Sequence, residues 1–244
     1  MIKGKAYSAL GGVFEYLNND CGYEQWSQYL IKKLSSSGVA AGSAGVDMGC
    51  GNGYFTRAFK RAGFDVSGVD ISAEALSSAV DISRREGLNI PYISGDIATF
   101  KTAAKVDFVT AVNDCVNYIP HEKLLSAFKR VCANLKKGGV FIFDISSEKK
   151  LKEKVGANVF ADDREDATCI WFTEPDGEKI NFDVTVFKRR ADGLYERADE
   201  RQTQYIHGET RVLSLLKEAG FKAVSEGHLG GSKEDRIVFT AVKL

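Results

Sequence analysis

Three glycines and one acid fall within seven residues, Asp47-x-Gly49-x-Gly51-x-Gly53, between an apolar run and an amphipathic run. Glycine has no Cβ and tolerates φ > 0, so such a turn lets main chain approach a ligand closely. A second acid, Asp70, ends the next apolar run, and a third, Asp96, follows Gly95. A glycine turn with a downstream acid is the general layout of an adenine-nucleoside site. A carboxylate accepts two hydrogen bonds and a ribose offers two adjacent hydroxyls, which gives Asp70 its role. The bland alternative for Asp70 is an acid at a helix start, next to Ser72. Asp96 can accept from an adenine amino group while the Ile97 N–H donates to the ring; a turn-forming acid is the competing reading.

The dinucleotide fingerprint G-x-G-x-x-G is absent, because Tyr54 and Thr56 stand where its last glycine would be. Passage of a pyrophosphate over the helix N-terminus is then less well served. Asp47 points the same way: an acid there repels a diphosphate and suits the ammonium of a cationic nucleoside, S-adenosylmethionine (SAM). The candidate cofactor contacts are Asp47, Gly49, Cys50, Gly51, Gly53, Asp70, Ile71, Asp96, Ile97 and Asn113. Tyr7 and Trp26 join them as an N-terminal lid, although aromatics at helical spacing are more often core.

These residues need a frame. From Gly45 onward, short apolar runs alternate with amphipathic ones. Strands are expected over 45–48, 65–69, 91–95, 106–112 and 140–143. Helices are expected over 54–62, from Ser72 to about Glu86, and across Leu124, Leu125, Phe128, Val131, Cys132 and Leu135, the last closed by Gly138-Gly139. This alternation implies a doubly wound, mostly parallel sheet with helices on both faces. Ligands bind such sheets outside the carboxyl ends of the strands. The 47–53 turn, Asp70, Asp96, Asn113-Asp114 and Asp144 all fall at those ends.

The rhythm breaks over 147–207. Ile180, Phe182, Val184 and Val186 alternate with polar residues, and the 175–177 and 192–193 stretches are turn signals. A small antiparallel β insertion is expected there, over the strand-end rim. The organisation is then an N-terminal helical lid over 1–44, a core over 45–146 and 208–244, and the insertion over 147–207. A helix ending at Gly220 and strands near 222–229 and 235–243 complete the core.

Composition narrows the function. Lys+Arg and Asp+Glu both total 33, so no basic excess argues for nucleic acid. The five cysteines are odd in number and lack a CxxC spacing, which argues against a disulfide framework or a zinc site and for a reducing compartment. No apolar leader or span stands out, so a cytoplasmic protein without a membrane or metal is expected.

The glycine motif with Asp70 and Gly95-Asp96 resembles the class I SAM-dependent methyltransferases over about 45–145. The resemblance implies a seven-stranded sheet of order 3-2-1-4-5-7-6 with its last strand antiparallel, and SAM held by the glycine loop and Asp70. Tyr7, Tyr23-x-x-Trp26, the 113–118 stretch, Asp162-Asp163, Trp171 and the 192–197 stretch extend the likeness to a branch of small bacterial methyltransferases that includes sugar-amine N-methyltransferases. Glu15-Tyr16 departs from that branch, where Tyr-Asp is usual.

The expected activity is methyl transfer to a small-molecule acceptor, at nitrogen or oxygen. Asp114, Tyr118 and His207 are the candidates for acceptor contact or proton transfer, in that order. A nicotinamide-dependent oxidoreductase and a non-catalytic SAM-binding module are the alternatives. An exposed edge of the inserted sheet offers a route to a homodimer.

Overall fold

A computed structural model of the chain describes residues 22–244. Tyr7, Cys21, Glu15-Tyr16 and the rest of residues 1–21 of the expected N-terminal helical lid lie outside the described residues. The elements in order are α1 (Tyr23–Ser36), β1 (Ala44–Met48), α2 (Tyr54–Arg61), β2 (Asp65–Asp70), α3 (Ala73–Arg85), β3 (Tyr92–Ser94), β4 (Val106–Ala111), α4 (Leu124–Asn134) and β5 (Leu135–Ser146). They continue with β6 (Asn158–Asp163), β7 (Ala167–Asp176), β8 (Lys179–Arg189), β9 (Tyr195–Tyr205), α5 (Glu209–Glu218), β10 (Phe221–Gly227) and β11 (Arg236–Lys243).

The main sheet has seven strands in the order β3-β2-β1-β4-β5-β11-β10. All neighbours are parallel except β11, which runs against both β5 and β10. That is the 3-2-1-4-5-7-6 arrangement that the resemblance implies. Strand β5 shows how two cores arise from one strand. Val140 and Ile142 pack with Trp26, Leu30, Phe55, Phe59 and Phe108 under α1 and α2. Phe141, Phe143 and Ile145 face the other way, onto Phe128, Val131, Val212 and Leu216 of α4 and α5. Alternation along a strand places successive side chains on opposite faces, so a strand buried on both faces must be apolar throughout.

Helix α3 starts where its chemistry requires. The Ser72 hydroxyl accepts from the Ala75 N–H at 3.1 Å, Glu74 occupies the first turn, and Arg84 and Arg85 the last. Each complements the helix ends, and a serine cap contributes about 1 kcal/mol. The Gly138-Gly139 pair departs from expectation. It does not close α4, which ends at Asn134; β5 begins at once and the glycines lie within it. The β4–β5 register shifts here, Gly138 takes φ +75°, and a Cβ on Gly139 would meet the Asp107 carbonyl at 3.1 Å. The pair forms an irregularity in a strand rather than a helix stop.

The second sheet is an antiparallel meander, β6-β7-β8-β9. Gly177 at φ +62° and Gly193 at φ +80° turn its last two hairpins. Its small core is Ala167, Cys169, Val184 and Val186, with Trp171 packed at the side and stacked on Phe160. The last strand, β9, returns to the main sheet: the Asn117 side chain donates to the Tyr205 carbonyl at 3.0 Å. Among the described residues, no helix is long and apolar enough to cross a membrane.

Candidate active site

The carboxyl ends of β1, β2 and β4, with β9 above them, enclose a cavity of about 430 Å³. Its floor is the glycine turn. Gly49, Gly51 and Gly53 have φ of +67°, +53° and +78°, where L side chains are strained. Each glycine has its own reason. A Cβ on Gly49 would lie 2.4 Å from the Cys115 sulfur, and one on Gly53 would lie 2.3 Å from the Tyr92 hydroxyl. A Cβ on Gly51 would meet nothing within 4 Å, and Gly51 lines the cavity. The first two are small because protein packs on them; Gly51 borders open space in the cavity.

Asp47 lies beneath this turn and is 1% exposed. It accepts from the Thr56 hydroxyl at 2.6 Å and the Thr110 hydroxyl at 2.7 Å. Burial pushes its carboxyl up to about 6, against the pull of those two hydroxyls and with help from the charge of Asp70. An acid held near neutrality and facing a cavity gains from a cationic ligand. Asp70, at the tip of β2, is also buried, which raises its carboxyl. One oxygen accepts from the Gly51 N–H at 2.8 Å and the other from the Ser72 N–H at 2.9 Å. Each oxygen keeps acceptor capacity toward the cavity, since a carboxylate has about four lone-pair sites. Asp96 takes the Ala98 N–H on one oxygen at 2.8 Å. Three carboxylates therefore bound one end of the cavity, beside the side chains of Cys50, Ile71 and Ile97.

The tip of β4 is strained. Asn113 and Asp114 take φ of +62° and +66°, a conformation costing roughly 1–2 kcal/mol per non-glycine residue. A clamp holds them there. Asp144, fully buried on β5, accepts from the Asn113 N–H at 2.7 Å and the Asp114 N–H at 3.1 Å. Arg236 on β11 bridges Asp144 and Asp114, and its guanidinium lies 4.8 Å from the Trp26 ring centre. The Asn113 side chain, which lines the cavity, donates to the Tyr23 hydroxyl at 3.2 Å.

Sequence reading placed ten described residues at this cavity that the structure also brings there: Asp47, Gly49, Cys50, Gly51, Asp70, Ile71, Asp96, Ile97, Asn113 and Tyr118. Four others stand elsewhere. Trp26 is core, packed edge-on against Phe55 and His228. Gly53 makes room for Tyr92. Asp114 is committed to Arg236 and to the Ser146 hydroxyl; burial raises its carboxyl, but Arg236 and Lys150 prevail and hold it low, which suits a structural anion and not a base. His207 is wholly buried, bonded through Nε2 to the Ile119 carbonyl at 3.1 Å, and burial drives it down to about 4.

The residues that the insertion brings to the cavity were not foreseen. Arg201, Gln202, Thr203 and Tyr205 of β9 line it, with Lys123, Tyr23, Tyr54 and Phe55. Polar residues fill both faces of β9 here, so no apolar alternation marked the strand. Tyr23 was visible only as part of the Tyr23-x-x-Trp26 element.

A methyltransferase-domain family model matches residues 46–139, the stretch that carries the three acids and the glycine turn. A protein of Geobacillus sp. strain WCH70, provisionally named as a methyltransferase, is 28% identical over 97% of this chain and 99% of its own. A SAM-dependent methyltransferase from Clostridium acetobutylicum ATCC 824 superposes with a TM-score of 0.85, at 27% identity over 95% of this chain and 96% of that one. Residues 46–139 carry a methyltransferase domain, and the chain is similar along nearly its whole length to SAM-dependent methyltransferases. The same fold extends to a sugar N-methyltransferase from Streptoalloteichus sp. ATCC 53650, with a TM-score of 0.82, 16% identity and 100% and 96% coverage of the two chains. At that identity the likeness concerns fold alone.

Proposed function

We propose that this methyltransferase transfers the methyl group to a small molecule, at nitrogen or oxygen, in the space between Asn113, Tyr118 and β9. The observation that carries the reading is Asp70. Its carboxylate is fixed by two main-chain N–H groups at the rim of a cavity, which suits it to a ribose diol. In this reading Asp96 and Ile97 take the adenine, and the open space at Gly51 takes the methionine portion. Asp47 and Asp70 supply the negative field that a sulfonium and an ammonium require. When bound, SAM supplies an activated methyl that passes to a nucleophile in one in-line displacement. What the chain then contributes is alignment, which is worth several kcal/mol when reacting atoms are held at near-attack distance.

Neither Asp114 nor His207 is placed to take a proton from the acceptor. Of the three candidates Tyr118 alone lines the cavity, where it can contact the acceptor. The glycine turn with its two hydroxyl-bound and N–H-bound acids also disfavours a diphosphate, which leaves the nicotinamide reading without support. Two groups of relatives frame the acceptor atom. The sugar N-methyltransferase and an amino pentose methyltransferase from Micromonospora echinaspora share the fold over nearly the whole chain. A ubiquinone biosynthesis O-methyltransferase of Methylococcus capsulatus is 32% identical over 50% of this chain and 51% of its own. Whole-chain likeness favours an amino sugar over a phenol.

The test is incubation with isotopically labelled SAM and paired panels of amino sugars and catechols, read by mass spectrometry. Label in the amino sugars supports the reading; label in the catechols moves it to oxygen. Binding of SAM with no transfer to either panel or to the small-molecule fraction of a cell extract would contradict it.

A further inference from the structure

Glycine is the usual occupant of left-handed backbone in this chain. Among the described residues only Asn113, Asp114 and Leu229 take such φ values without being glycine. Leu229 lies in the β10–β11 connection, whereas Asn113 and Asp114 stand together just past the tip of β4. Strain of this kind persists where something else requires the side chain. For Asp114 the reason is structural. Its carboxylate accepts from the Arg236 guanidinium at 3.0 and 3.1 Å and from the Ser146 hydroxyl at 2.8 Å.

Asn113 has no comparable reason. Asp144 holds it through its main-chain N–H, a group that glycine also carries. Asparagine bears left-handed backbone better than most residues, but glycine bears it better still. The side chain makes one long hydrogen bond, from Nδ2 to the Tyr23 hydroxyl at 3.2 Å. Its amide oxygen accepts from no described residue and is not sealed inside the protein. The residue lines the cavity, on a strand paired with β1, whose tip carries the glycine turn. Asp47 and Asp70 make that end of the cavity a site for a cation, and an amide dipole in such a field turns its oxygen to the ligand.

We infer that the Asn113 amide oxygen is the hydrogen-bond acceptor that orients the incoming nucleophile, and that asparagine stands here in place of glycine for that purpose. The inference rests on the acceptor placement proposed above. Asn113 touches the methyl acceptor and is a determinant of specificity; Asp144 and Arg236 are positioning residues that hold its main chain. An amine or hydroxyl that donates to the amide oxygen keeps a lone pair for the methyl. A tertiary amine, ether or thioether has no proton to offer it.

Sinefungin tests the contact without a known acceptor. In it an amine-bearing carbon replaces the sulfonium and its methyl, whereas S-adenosylhomocysteine has neither methyl nor amine at that position. The quantity measured is the preference for sinefungin over S-adenosylhomocysteine, as a ratio of dissociation constants by calorimetry at one pH. Asn113→Gly should lower the preference by at least about tenfold, the weight of one hydrogen bond to a charged group. Its thermal midpoint should stay within about 2 °C of wild type or rise, since the turn no longer strains a side chain. Asn113→Asp places a charge beside the same amine and should raise the preference by about threefold or more.

An unchanged preference in Asn113→Gly overturns the inference. So does a folded Asn113→Asp with no gain, because the side chain then lies away from the amine. A midpoint lowered by more than about 4 °C in Asn113→Gly would make the side chain a structural one and overturn its assignment to the acceptor. Failure of wild type to bind S-adenosylhomocysteine is a separate result, and contradicts the proposed function instead.

Discussion

The two walls of the cavity are made of different material. The wall at the strand ends is main chain and short acids: a glycine turn, N–H groups aimed at Asp70, and Asp47 locked between two threonines. The wall on β9 is side chains, Arg201, Gln202, Thr203 and Tyr205, with the Tyr118 hydroxyl donating to Gln202. The first can change little, because each glycine conformation and each N–H bond is set by the strands that end there. The second can be rewritten by substituting one strand of an added sheet. A protein that keeps one cofactor while its relatives take different acceptors would be built this way, with the invariant chemistry on the backbone and the variable chemistry on side chains.

Asn113 lies where the walls meet, and its clamp is the first place to break the comparison. Arg236→Met leaves Asp144 and Asp114 buried without their cation. Breaking a buried ion pair by removing one partner costs about 3–5 kcal/mol, so urea unfolding should show a loss of that order. A loss under about 1 kcal/mol would mean that the strained turn holds itself. Gly51→Val attacks the cofactor wall alone. A β-branched residue at φ +53° is strained, and its side chain enters the cavity. Affinity for S-adenosylhomocysteine should fall on the order of a hundredfold, while the Tyr118→Phe variant keeps it. Equal losses in both would erase the distinction between the walls.

A smaller effect follows from pH. Asp47 carries its proton below about 6 and its charge above. SAM has one more positive charge than S-adenosylhomocysteine, so it gains more from the ionised form. The preference for SAM over S-adenosylhomocysteine should therefore decline, by roughly severalfold, as pH falls from about 7.5 to about 5. Bound cation lowers the Asp47 carboxyl, so the decline should sit lower in complexes than in the free protein. The same ratio in Asp47→Asn should be flat with pH; a slope as steep as that of wild type would remove Asp47 from the field that SAM meets.

The same contrast explains what could be read in advance. Strands buried on both faces, such as 106–111 and 140–145, announce themselves as apolar runs, and acids or glycines at their ends have few other reasons to be there. Asp47, Gly51, Asp70 and Asp96 were legible for that reason. Gly53 carried the same signal but serves Tyr92, since a φ > 0 glycine looks alike whether it faces ligand or side chain. Asp114 and His207 were misplaced because their partners, Arg236 and the Ile119 carbonyl, are distant in sequence, 122 and 88 residues away. Gln202 and Gln204 were invisible: a polar residue turned inward on an edge strand resembles one turned to solvent until its partner is known. The break in helix rhythm at 147 showed where the insertion starts, but nothing there showed which strand would return to the cavity.

The claim beneath all of this is that the Asp70 carboxylate holds the nucleoside. Calorimetric titration of wild type and Asp70→Ala with S-adenosylhomocysteine tests it directly. Two charge-assisted hydrogen bonds predict a loss of about a hundredfold or more, with thermal unfolding showing the variant still folded. Affinity within about twofold of wild type, in a folded variant, would contradict the account.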